Sequence, residues 1–477
     1  MLMKRIIRRG EVWNVLVPVD SARGDERLIQ TANWSRGVGW TCIVASLMLL
    51  LCFGLVCVAQ DFPPTQRLTL DNGLTLLHRY NPTGQTVGIA AFVEVPADVE
   101  TPQSAGLRSI TQQMLLHRPA DETGRTPSQK LANLGATVDT RVHADCTQLT
   151  VASLAEHYDE CLPILREVLF SNQFEWTALR DIQSRNRQQL IDSSENPAGV
   201  AEIVGYSKLF ENSACRWPEA GTTAGIAAAD SRSVLRLHNY FWRPNRVVLS
   251  ISGPLRFDEC KRSVLSTFSA LMPGPGEAIE AQTSTSRDGP TYMYQRWPTD
   301  NATIGLYTDA PGPVTQQHAA MSTLAAILGG GESSRLWQTL RDERGLVYGV
   351  RAQVSLAKRC PTFQIVANCS AGDVAEVAEI ITRSVREAIA EPPEDRELQR
   401  AKDYLLGNHV ISLQHNLHAA ILMGLFEVVS EGSGPQAQAF LERALEEVTP
   451  RDVHNVACQY LPHAVWIQVG GRSCWTR

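Results

Sequence analysis

The sequence predicts an α+β fold in two halves built alike, and three observations carry that prediction. The chain ends each half in the same way. His238-Asn239, Pro244 and the apolar run Val247-Val248-Leu249-Ser250-Ile251 closed by Gly253 are matched by His454-Asn455, Pro462 and Ala464-Val465-Trp466-Ile467-Gln468-Val469 closed by Gly470. The second observation is a change of period inside each half, from strand alternation to helical spacing. Leu149-Thr-Val-Ala-Ser-Leu154 leads into a helix carrying Leu162, Leu165, Val168 and Leu169; Phe363-Gln-Ile-Val-Ala-Asn368 leads into one carrying Val374, Val377, Ile380 and Ile381. The third is a Pro/Gly/Ser/Thr-rich stretch between the copies, Pro273-Gly-Pro-Gly276 to Gly289-Pro290, which reads as a linker. Two copies of such a unit indicate a duplicated domain, not a solenoid, and strands mixed with long helices favour an α+β layer in each half.

Residues 1–59 are a basic arm followed by an apolar segment. From Thr41 to Ala59 no residue is charged, a length suited to a membrane-crossing helix or a signal-peptide core. Lys4, Arg5, Arg8, Arg9, Arg23, Arg27 and Arg36 precede it, which orients the N-terminus to the cytoplasm and the bulk outward. Both a signal cleaved after Ala59 and a retained anchor fit this pattern. An exported protein, periplasmic or otherwise extracytoplasmic, is expected in either case. The first domain then runs over 66–272, the linker over 273–290 and the second domain over 291–472.

Of 477 residues, 44% are apolar and 20% charged, with a net charge of −6 and no dense Lys/Arg stripe, which argues against a nucleic-acid partner. Eight cysteines follow Ala59 without a Cys-x-x-Cys pair, so a cysteine zinc site is not expected. Disulfides are permitted in an oxidising compartment, and buried free thiols are expected for most of these residues. His409, His415 and His418 share a helix-like segment without a convergent carboxylate and read as polar-face residues.

Leu70-Asp71-Asn72-Gly73-Leu74-Thr75-Leu76 resembles the opening strand pair of the insulinase/pitrilysin family, to which the mitochondrial processing peptidases belong. Ile327-Leu328-Gly329-Gly330-Gly331-Glu332-Ser333-Ser334-Arg335-Leu336 is similar to the family's glycine-rich segment, and Leu340-Arg341-Asp342-Glu343-Arg344-Gly345-Leu346-Val347-Tyr348 to a further hallmark. The resemblance covers roughly Gln66 to Gly471. It implies two homologous domains, each an antiparallel sheet flanked by helices, forming a clamshell around an extended peptide.

Catalysis in that family needs His-x-x-Glu-His on a helix, the histidines holding zinc and the glutamate activating water. Here Ser109 stands for the first His, Gln112 for the base and Gln113 for the second His. The third ligand should be a Glu shortly before the Glu195-Asn196-Pro197 turn, where this chain has Gln188 and Gln189. A neutral amide is a weak zinc ligand and cannot take a proton from bound water. No cofactor is therefore expected in this chain, and zinc only in a partner subunit. Arg341 and Tyr348 match the pair that the family's second domain contributes to the cleft, where the resemblance implies that they bind the substrate carbonyl and its oxyanion. Gly329, Gly330 and Gly331 either let a peptide approach the backbone or form a turn. The expectation is a non-catalytic subunit of a heterodimeric zinc endopeptidase, paired with a homologue that keeps His-x-x-Glu-His. The alternative is a non-enzymatic scaffold or peptide-binding protein, as the family's respiratory-complex core subunits exemplify.

Overall fold

The computed structural model describes residues 64–275 and 289–475, with the backbone of a short antiparallel pair, Ile6–Arg8 and Glu11–Trp13, considered by itself. The segment 41–59 and most of the linker lie outside the described residues. Among the described residues no helix is long and apolar enough to cross a membrane.

The first half contributes β1 (Gln66–Thr69), β2 (Thr75–Tyr80), β3 (Thr86–Val93), β4 (Thr137–Val142), β5 (Thr147–Leu154) and β6 (Val247–Gly253). They form one sheet in the order β1-β2-β6-β3-β5-β4. The second half contributes β7 (Thr291–Gln295), β8 (Asn301–Asp309), β9 (Val347–Val354), β10 (Thr362–Ser370) and β11 (Val465–Val469). Their order is β7-β11-β8-β10-β9. Apart from the extra edge strand β1, the second order repeats the first. The duplicated endings His238…Gly253 and His454…Gly470 are β6 and β11 with the helices before them.

Neither sheet is wholly antiparallel, which corrects the expectation. β2 pairs with β6, and β7 with β11, in parallel; every other pair in the two sheets is antiparallel. The closing strand of each half returns after a long helical stretch, and such a crossover permits the parallel insertion.

Five helices of the first half matter to the site: α1 (Leu107–Met114), α2 (Tyr158–Phe170), α3 (Ala178–Ser194), α4 (Pro197–Leu209) and α5 (Ser231–Phe241). Their counterparts are α6 (Gln316–Gly329), α7 (Val374–Ala390), α8 (Asp395–Leu413), α9 (Asn416–Val429) and α10 (Pro450–Tyr460). α4 and α9 are exchanged. α4 packs on β8 and β11 of the second sheet, and α9 on β2, β3 and β6 of the first. Two small cores result, one joining Phe92, Val248, Ala420 and Met423, the other Ala201, Tyr307, Ile467 and Val469.

The exchange is locked by the same device twice. The ninth residue of α4 is Gly205, whose absent Cβ would lie 2.6 Å from the ring of Tyr307, the seventh residue of β8. The ninth residue of α9 is Gly424, whose Cβ would lie 2.1 Å from the ring of Phe92, the seventh residue of β3. Only glycine lets an aromatic seat so close to a helix backbone. Polar contacts reinforce the joint: Asn416 accepts from Asn81 at 2.9 Å and donates to the Thr86 carbonyl at 2.7 Å, and Arg67 meets Glu427 at 2.8 Å. Cys215 and Cys360 form a disulfide between the halves, a pairing that the scattered cysteine spacing did not reveal. Cys146, Cys161, Cys260 and Cys369 are buried free thiols.

Candidate functional site

α1 opens at Gly106, whose φ of 102° ends the preceding loop, and it buries Ile110 and Met114 against the first sheet. That burial turns Ser109, Gln112 and Gln113 toward α3 and β4. Gln113 Nε2 donates to Asn186 Oδ1 at 2.7 Å and approaches Ser109 Oγ at 3.2 Å, while Asn186 Nδ2 donates to Ser109 Oγ at 3.4 Å and to the Ala220 carbonyl at 3.3 Å. Gln112 Nε2 donates to the Gln148 carbonyl at 2.8 Å, and Gln148 Oε1 pairs with His143 Nε2 at 2.8 Å. Gln112 is 1% exposed and its Oε1 has no partner.

The α3 contribution departs from the sequence expectation. Gln188 points away from the cluster, is exposed, and donates to Asp192 at 2.8 Å. Gln189 lines the cavity beside the cluster, but the residue bonded into it is Asn186, 1% exposed. Helical spacing could have found it, since Ile182 and Asn186 mark the buried face of α3 one turn apart. Of the two glutamines expected before the Asn196 turn, Gln189 thus shares the cavity with Ser109, Gln112 and Gln113, and Gln188 does not.

Zinc does not fit this cluster. Its polar groups are one hydroxyl and neutral amides, of which Ser109, Gln113 and Asn186 bond to one another, with neither imidazole nor carboxylate among them. Among the described residues no three His, Cys, Asp or Glu gather to hold a metal ion. His415 and His418 stack edge to face at 5.5 Å, and His409 pairs with Glu442 at 2.8 Å.

The cavity in front of the cluster measures about 420 Å³, and its lining comes entirely from the first half. Glu219 borders it, accepts from the Val142 N–H at 3.2 Å, and has its pKa raised by burial. His117 borders it too, and burial with the neighbouring Arg185 lowers its pKa. Behind α1, Arg108 is buried and donates to the His143 carbonyl; desolvation lowers its pKa while Glu100 opposes the shift.

Arg341 and Tyr348 lie elsewhere and do not line that cavity. Arg341 belongs to a π-helical turn, Gln338–Glu343, and its Nη1 donates to the Val347 carbonyl at 2.7 Å. Tyr348 is the extra residue of a β-bulge, since β9 shifts register against β10 between Val347 and Gly349. Bulges re-aim side chains, and Tyr348 is 65% exposed. The two residues are thus joined through one peptide group. Gly329, Gly330 and Gly331 line a separate cavity of about 610 Å³ with Tyr404 and Trp337. Gly329 is there for packing: its Cβ would lie 2.6 Å from the Ala352 nitrogen of β9.

Residues 229–405 match the family described as "Peptidase M16 inactive domain". The chain is 21% identical over 353 residues to an uncharacterized zinc protease, YmxG, of Bacillus subtilis, covering 73% of this chain and 84% of that one. It is 22% identical over 264 residues to a "non-peptidase homolog" of Helicobacter pylori, covering 55% and 60%. A solved peptidase M16 inactive domain from Pseudomonas fluorescens superposes with a TM-score of 0.76 at 18% identity, over 87% of this chain and 100% of that one.

Proposed function

The chain belongs to the insulinase (M16) peptidase family and lacks its zinc motif, and from that premise we propose that it is the non-catalytic subunit of a heterodimeric zinc endopeptidase. Its partner is a homologue with an intact His-x-x-Glu-His, and the substrate is an extended peptide. This chain supplies Tyr348, with Arg341, to the partner's cleft. The observation that carries the reading is the presentation of Tyr348: a bulge lifts the phenol into solvent, and Arg341 holds the carbonyl beside it. A phenol O–H and a guanidinium are donors suited to an oxygen that gains charge on attack. An extracytoplasmic location belongs to the same reading. The uncharged run 41–59 supports it, as does the Cys215–Cys360 disulfide, which persists where thiols oxidise.

The test is reconstitution with a zinc-bearing homologue. Tyr348→Phe in this chain should lower peptide hydrolysis by about 10²–10³ while leaving assembly intact. The loss should fall mainly on kcat, because such donors act most strongly in the transition state. A reconstituted pair as active with Tyr348→Phe and Arg341→Ala as without them refutes the divided site and leaves the scaffold role.

A further inference from the structure

One loop of the second half is held against the first half by little apolar contact. It is residues 355–361, the tip of the β9–β10 hairpin. None of these residues is buried, and of them only Cys360 packs against an apolar core of the described residues. What fixes the tip is polar and covalent. Asp145, between β4 and β5, accepts from the Lys358 N–H at 2.8 Å and the Arg359 N–H at 2.9 Å. Arg359 pairs with Asp98, Lys358 pairs with Glu431 just past α9, and Cys360 is bonded to Cys215. Cys360 stands at φ 54°, a left-handed conformation that a residue with a Cβ keeps only where its surroundings impose it. The tip is also a wall. A cavity of about 570 Å³ lies between the halves, and the second half's share of its lining is Ser355, Leu356, Ala357 and Cys360 from this tip together with Leu425 of α9. Cys215 lines the same cavity from the first half, and both cysteines are half-buried.

We propose that the Cys215–Cys360 bond is a reducible latch on this tip: oxidised, it holds the tip across the cavity; reduced, it lets the tip swing away and opens the cavity to solvent. The reductant is a dithiol. Its thiolate attacks one sulfur of the bond, giving a mixed disulfide and one cysteine thiol, and its second thiol then displaces the other cysteine. Two electrons and two protons pass from the dithiol to the protein, leaving two cysteine thiols and an oxidised dithiol. A segment with so few apolar contacts opens locally and not with the whole fold. Asp98 and Asp145 keep the position to which the tip returns, so reoxidation restores the closed state. The device goes beyond the function proposed above and needs neither Tyr348 nor a partner subunit.

The experiment follows hydrogen exchange in the full chain by mass spectrometry, oxidised and after treatment with dithiothreitol under native conditions. The peptide spanning Lys358 and Arg359, whose amides Asp145 protects, should exchange about tenfold or more faster once the bond is reduced, while the amides of β8 stay protected. Reoxidation should restore the slow rate. Cys215→Ser with Cys360→Ser should exchange at the fast rate with or without reductant; if that variant fails to fold, the reduced parent carries the test. Trypsin gives a second readout, because it cuts after Lys358 and Arg359, and reduction should make these the first bonds of the second half to be cleaved. Exchange at the tip that is equal in the oxidised and reduced chains overturns the proposal. So does a bond that dithiothreitol leaves intact in the folded chain, or release of the β8 amides together with the tip, which would make the disulfide a staple of the whole fold. None of these outcomes bears on hydrolysis by a reconstituted pair, so the two readings fail separately.

Discussion

Ser109, Gln112 and Gln113 stand where the family resemblance expects two zinc ligands and a base, and Asn186 packs against them. Gln113 and Asn186 bond to each other and to Ser109, and Gln112 bonds to the Gln148 carbonyl. The three α1 positions were legible in the sequence, because Ile110 and Met114 fix the register of the motif on the helix. Asn186 was legible only through the helical spacing of Ile182 and Asn186, the buried face of α3, and not through its distance from Asn196. The buried histidine His238 gives a pH prediction at this scale. It is 2% exposed, and burial with the nearby Arg118 lowers its pKa to about 3, against 6.5 in an unfolded chain. Between those values the unfolded state binds the proton and the folded state does not, so stability rises with pH through that window and levels off above it. Thermal melts should fall as pH drops from 6.5 toward 4, and His238→Asn should flatten the slope.

Helices α4 and α9 carry the lesson at the scale of elements. The period switch located α2 and α7 behind their strands, one in each half, but gave no account of α4 and α9. Periodicity cannot say which sheet a helix covers, and here each covers the sheet of the other half. The clue was compositional: a glycine in the ninth position of each helix, opposite an aromatic in the seventh position of a central strand. Gly424→Ala should force its new methyl into Phe92 and cost about 1–3 kcal/mol, read as a lowered Tm. Phe92→Leu in the same chain should return part of that loss, because it frees the space. A Gly424→Ala variant as stable as the parent would mean that α9 is not seated on β3. The β-bulge at Tyr348 was likewise beyond the sequence, since one extra residue in a strand leaves no pattern.

The whole molecule is a duplicated fold whose copies are joined by exchange, ion pairs and a disulfide, and its chemistry is asymmetric between them. The duplication could be read from the repeated endings; the joint could not, because Cys215 meets Cys360, and Asn416 meets Asn81 and Ser252, only in three dimensions. The disulfide closes a loop spanning 145 residues, so Cys215→Ser should destabilise the protein by about 2–5 kcal/mol under non-reducing conditions. Reductant should lower the Tm of the parent toward that of the variant. The central claim is that this peptidase fold has no metal chemistry of its own. Its most direct test is metal analysis of the purified chain after equilibration with zinc and removal of loosely held ion. The account predicts less than stoichiometric zinc, unaltered by Gln113→Ala; one tightly held zinc per chain, lost in Gln113→Ala, would contradict it.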